Sequence, residues 1–143
     1  MPYESGAKIV RRGRRLLYTA AALLALVVVV SVAVLFMPAS FNHLDARRVS
    51  EIELFSGQTG RGATITDAET IERVCDALGG CSLRVDGVSL GRMGYGLRVT
   101  ITGSNGEQAF YVNSSGSARR DPFFYSAEGG LIDYDYLLSL TEE

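Results

Sequence analysis

His43 is the only imidazole in the chain, so a Ser-His-Asp or Cys-His constellation would have to be assembled around that one residue. It follows a long apolar run, where a solvent-facing or interfacial role suits it better than catalysis. No G-x-S-x-G or H-E-x-x-H motif occurs. The glycine-rich stretch Gly91–Gly96 (GRMGYG) opens a strand pattern, so it lacks the helix N-terminus that holds a phosphate. Carboxylates alone can hydrolyse glycosides or hold calcium, and the densest group near a turn is Glu128, Asp133 and Asp135. Their Asp-x-Asp spacing completes no calcium loop, and helix capping accounts for the same residues. The expectation is therefore no catalytic residue, no metal and no cofactor, with these three acids as the one acidic cluster to follow.

Cys75 and Cys81 are separated by five residues, a spacing that fits neither a redox C-x-x-C pair nor a zinc quartet. A structural disulfide is expected if the domain lies outside the membrane. The competing reading is two reduced thiols packed as small apolar groups. Phe123, Phe124 and Tyr125 form the aromatic run of the last quarter, and adjacent Phe123 and Phe124 cannot both face inward from a regular strand. They are candidate contact aromatics.

What positions all of this begins with Leu16–Met37, which carries no charge and is broken only by Tyr18, Thr19 and Ser31. As a helix it spans roughly 33 Å at about 1.5 Å per residue, matching a hydrocarbon core of about 30 Å. Its apolar residues circle the helix rather than forming one stripe. A cleaved signal needs only about 7 to 15 apolar residues, so the run reads as a retained anchor. The best cleavage candidate, Ser31-Val32-Ala33, is followed by four more apolar residues. Lys8, Arg11, Arg12, Arg14 and Arg15 crowd the N-terminal flank, against Arg47 and Arg48 beyond the other end, which orients the N-terminus to the cytoplasm. Residues 38–143 hold nine arginines against fifteen acids, a balance that argues against nucleic-acid binding.

The expected organisation is a cytoplasmic basic tail (1–15), a transmembrane helix (16–37), a stalk (38–48) and an extracytoplasmic α+β domain (49–143). In that domain Ile52 and Leu54 mark one strand. Thr66–Glu69 has the spacing of a capping box, and Ile71, Val74, Cys75 and Leu78 form one helical stripe. Gly79-Gly80 should end that helix in a left-handed turn. Cys81, Leu83 and Val85 alternate as a strand, as do Leu97, Val99 and Ile101. Asn105-Gly106 predicts a hairpin, since both positions can take positive φ, returning through a strand that faces inward either Phe110 and Val112, the favoured pair, or Ala109 and Tyr111. Ser114–Pro122 reads as a polar loop, Phe123–Tyr125 as a strand, and Asp133 as the cap of a final helix. The whole is an antiparallel sheet with one or two packed helices behind a single-pass anchor.

The function expected from this is a non-catalytic, membrane-anchored module in the cell membrane. Its partners would be the lipid bilayer and an envelope component or membrane protein. The alternative is a small envelope hydrolase using Glu128, Asp133 or Asp135. A third reading is a subunit assembled through its membrane helix, where Ala21 and Ala25 form a small-xxx-small pair.

Overall fold

A computed structural model describes residues 4–142, with side chains described from Gly13 to Glu142. Residues 1–3 of the basic tail, the side chains of Lys8, Arg11 and Arg12, and Glu143 lie outside what is described. The chain divides into two compact units, Met1–Phe36 and Met37–Glu143.

The first unit is one helix, α1 (Glu4–Phe36). Its stretch Gly13–Phe36 is long and apolar enough to cross a membrane, and none of it is buried within the structure. Two of its polar side chains bond to the helix itself. Thr19 Oγ1 donates to the Leu16 carbonyl at 2.9 Å and Ser31 Oγ to that of Val27 at 2.8 Å. Hydroxyls satisfied in this way are compatible with an apolar solvent.

The second unit is α+β. Its strands are β1 (Pro38–Ala39), β2 (Val49–Ser56), β3 (Gly62–Ile65), β4 (Ser82–Val88), β5 (Leu97–Gly103), β6 (Gly106–Ser114), β7 (Ser117–Arg120) and β8 (Phe123–Glu128). They form one antiparallel sheet in the order β1-β4-β8-β7-β6-β5-β2-β3. Leu54, Val99 and Phe110 occupy one row across β2, β5 and β6, and all three are buried. Against the same core pack the stripe Ile71, Val74, Cys75 and Leu78 of α2 (Ala68–Gly79) and Leu137 of α3 (Tyr134–Ser139).

Residues 38–48 are not a free stalk. Pro38 and Ala39 pair with Arg84 and Leu83 of β4, and Phe41 and Asn42 are buried in the domain. Phe41 meets the rings of Phe110 at 4.8 Å and Tyr125 at 5.0 Å, which gives this aperiodic segment an apolar anchor. Four further expectations change. Helix α2 is capped by Asp67, whose carboxylate accepts from Thr70 N at 2.8 Å, one residue later than Thr66. Gly80 follows at φ −65, right-handed; glycine is required there because a Cβ would lie 2.6 Å from the Leu131 carbonyl oxygen. In the β5–β6 hairpin only Gly106 takes positive φ, at +92, so this is not the mirror-image turn in which Asn105 would share it. The polar loop expected at Ser114–Pro122 contains β7, and a strand the periodicity does not mark, β3, follows β2.

Candidate functional site

The buried start of the domain and the β5–β6 hairpin enclose a cleft of about 340 Å³. One wall is Ser40–Val49. Asp45 shapes it by accepting from Arg47 N at 3.2 Å, which starts a 3-10 turn over Ala46–Arg48, and by pairing with Arg48 at 3.5 Å. That exposed ion pair orients more than it stabilises. The Arg48 carbonyl accepts from Ser104 N at 2.9 Å, tying this wall to the hairpin. Such a close approach needs glycine at 103, since a Cβ there would collide with the Arg48 carbonyl. The far wall carries Asn105, Gln108 and Arg120, while Phe41, Val49 and Ile101 supply apolar surface. The Arg120 guanidinium lies 5.6 Å from the centre of the Phe41 ring. His43 lines the same cleft, so the single imidazole of the chain stands among two guanidiniums, two amides and one carboxylate. Such a site can recognise a ligand that offers both an apolar face and carboxylate, phosphate or amide groups.

The three acids of the expected cluster have separate engagements. Glu128 pairs with Arg84 at 3.1 Å across the β4–β8 ladder. Asp133 caps α3 by accepting from Tyr136 N at 3.2 Å, and Asp135 is exposed in the first turn of that helix. Among the described residues no three His, Cys, Asp or Glu side chains form a group able to hold a metal.

The expected disulfide is a correction: Cys75 and Cys81 are both free and buried. Each faces the core as a small apolar group, Cys75 in the α2 stripe and Cys81 just before β4. Burial, reinforced by the negative charges of Asp76, Asp45 and Glu72, pushes the Cys75 thiol up to about 11. Burial also pushes the Cys81 thiol up. Both are therefore protonated and unreactive at neutral pH. The corner between α2 and β4 is held instead by Asn42, whose Nδ2 donates to the carbonyls of Leu78 at 3.0 Å and Cys81 at 2.7 Å.

The aromatic run is half-buried along β8, with Phe123 opposite Val88 and Phe124 opposite Gly87. Tyr125 packs on Phe41, and burial raises its phenol against the opposing influence of Arg120.

Sequence reasoning missed Arg119. It is only 5% exposed, although it lies on the face of the sheet away from the helices, one residue from inward-facing Ala118. The connection from β4 to β5 crosses over it. Arg119 Nη1 donates to the carbonyls of Arg92 at 3.1 Å and Gly94 at 3.2 Å, and its guanidinium lies 4.3 Å from the Tyr111 ring centre. Tyr95, from the same connection, packs on Tyr111 with ring centres 5.0 Å apart. The available signal was the pairing of a strand-borne arginine with a glycine-rich connection too long for a simple hairpin. No family model, no curated protein and no solved structure matches this chain.

Proposed function

We propose that this chain is a single-pass membrane protein whose α+β domain stands outside the cytoplasm. There it acts by binding an envelope component or a membrane-protein partner rather than by catalysis. The observation that carries the binding reading is the cleft between Ser40–Val49 and the β5–β6 hairpin, where Arg48, Arg120, Asn105 and Gln108 surround an apolar floor. Anchoring is supported by the unburied apolar helix Gly13–Phe36 with its self-satisfied hydroxyls, and by the basic N-terminal flank. The binding reading is favoured over the hydrolase alternative because Glu128 pairs with Arg84, Asp133 caps α3 and Asp135 is exposed without a partner acid.

Two measurements test this reading. Protein from membranes should retain its N-terminal residues after alkaline washing, and external protease should remove the domain alone. A photo-crosslinker at Gln108 in intact cells should give a discrete adduct that Arg48→Glu with Arg120→Glu abolishes and Glu128→Gln leaves intact. An adduct indifferent to both arginines would refute the cleft as the binding surface, and a soluble mature chain would refute the anchor.

A further inference from the structure

The connection between β4 and β5 presents apolar side chains that it does not bury. Leu90 is 74% exposed, Met93 98% and Val88, at the end of β4, 58%. This exposure is built into a pinned backbone. Ser89, itself buried, donates its N–H to the Pro122 carbonyl at 2.8 Å and its hydroxyl to Asp121 Oδ1. Arg92 N closes a turn on the Ser89 carbonyl at 3.0 Å, with Gly91 at φ +74. The buried guanidinium of Arg119 then holds the carbonyls of Arg92 and Gly94. Burying an arginine is costly unless its donors are used, and both hydrogen bonds this side chain makes go to the connection, while its Nε lies 3.5 Å from Asp121. Leu90 and Met93 project from either side of residues held in this way.

Strand register locates these side chains within the domain. β1 runs antiparallel to β4 with Pro38 opposite Arg84, so Met37, which precedes it, continues toward Val88. β8 also runs antiparallel to β4 and places half-buried Phe123 opposite Val88. Val88, Leu90 and Phe123 mark one end of the sheet, and Met37, which by the same register falls opposite Val85, lies three residues short of Val88, about 10 Å along the strand. The opposite end of the same ladder pairs Ser82 with Glu128 and leads to exposed Leu131. A single residue, Met37, separates the apolar helix from β1, and one residue of chain reaches only about 3.5 Å. The chain therefore leaves β1 for the helix in the direction of the sheet end that carries the exposed apolar side chains, with one residue between them.

We infer that the β4–β5 connection is a second membrane contact, inserting Leu90 and its neighbours Val88 and Met93 into the headgroup–acyl boundary of the bilayer that holds the anchor. This rests on the anchored reading above. Projecting apolar tips suit a deformable lipid interface, where apolar area is buried without a shaped partner, and exposed Arg92 between them can meet lipid phosphates. Contact at this end would limit the domain's swing about its short tether and hold the recognition cleft in a restricted orientation.

The chain contains no tryptophan, so single substitutions report on chosen positions without background. Full-length Leu90→Trp, Met93→Trp, Leu131→Trp and Val28→Trp would be reconstituted in phosphatidylcholine vesicles with acyl chains brominated near the headgroup or near the chain end. Leu90→Trp should emit to the blue of Leu131→Trp and be quenched by the shallow bromines. Met93→Trp should follow it, Leu131→Trp should remain unquenched, and Val28→Trp should be quenched by the deep bromines. If Val28→Trp is quenched while Leu90→Trp and Met93→Trp match Leu131→Trp, the loop contact is refuted and the anchor stands. A blue-shifted Leu90→Trp that bromine does not quench would mean a protein contact and would equally refute it. An unquenched Val28→Trp refutes the anchor and the contact with it.

Discussion

Asn42 offers the sharpest test of whether residues 38–48 belong to the domain or merely tether it. Its side chain is fully buried, and its amide nitrogen satisfies two carbonyls, Leu78 at the end of α2 and Cys81 at the approach to β4. Asn42→Ala leaves both carbonyls without their donor, at about 1–3 kcal/mol for each buried group left unpaired. The same substitution removes Asn42 Oδ1, which is buried without a partner and offsets part of that loss. With a small cavity added, the net destabilisation should be about 2–4 kcal/mol. For a domain of this size that corresponds to a fall in Tm on the order of 10–20 °C. Urea and thermal unfolding of the full chain in detergent, followed by circular dichroism, would measure it. Asn42→Asp should be worse at neutral pH, because a carboxylate would face two carbonyls. Acid should relieve part of that cost by protonating the carboxylate into a donor. An unfolding free energy within about 0.5 kcal/mol of wild type for Asn42→Ala, the range of an ordinary surface substitution, would refute the packing of this segment.

The thiols make a pH prediction. Because Cys75 is raised to about 11 from an ordinary 9.0, folding favours its protonated form, so its contribution is complete below about pH 9 and is lost as pH rises toward 11. The loss should be on the order of 2 kcal/mol, and Cys75→Ala should flatten it in urea unfolding measured at about pH 8 and pH 10.5. A wild-type slope unchanged by the substitution would refute this assignment. Gly103→Ala should force the Arg48 carbonyl away from the hairpin, destabilise the domain by about 1–3 kcal/mol and weaken the Gln108 adduct. Retention of both stability and adduct would show that the cleft wall is not set by that contact.

The parts of the fold legible in the sequence are those where one face repeats. Ile52 and Leu54, the α2 stripe, Leu97, Val99 and Ile101, and Phe110 and Val112 are all buried on the faces their period assigns. The illegible strands are short and exist through remote pairing. β1 has two residues opposite β4, β3 has four opposite β2, and β7 contributes only Ala118 to the core. Thr66 and Asp67 are both good capping residues, and only the backbone geometry decides for the second. The cysteines misled because a sequence interval carries no direction. Both side chains follow their elements into the core, and an asparagine from 36 residues upstream of Leu78 holds the corner instead.

Both proposed contact regions draw on segments that periodicity leaves blank, the cleft joining such a segment to the legible β5–β6 hairpin, and the physical reason is the same in each. A repeating stripe exists to bury a face, and a buried face has little left to offer a partner. Ser40–Val49 and Val88–Gly96 have no repeat, so each is held by specific polar bonds: Asn42 and the Arg48 carbonyl in the first, Ser89 and the reach of Arg119 in the second. Bonds of that kind fix a backbone while leaving neighbouring side chains exposed, as His43 and Arg48 are in the cleft and Leu90 and Met93 are on the loop. A buried polar group bonded to an aperiodic segment therefore marks where surface groups are held in place, and both proposals rest on that observation rather than on a cluster of acids.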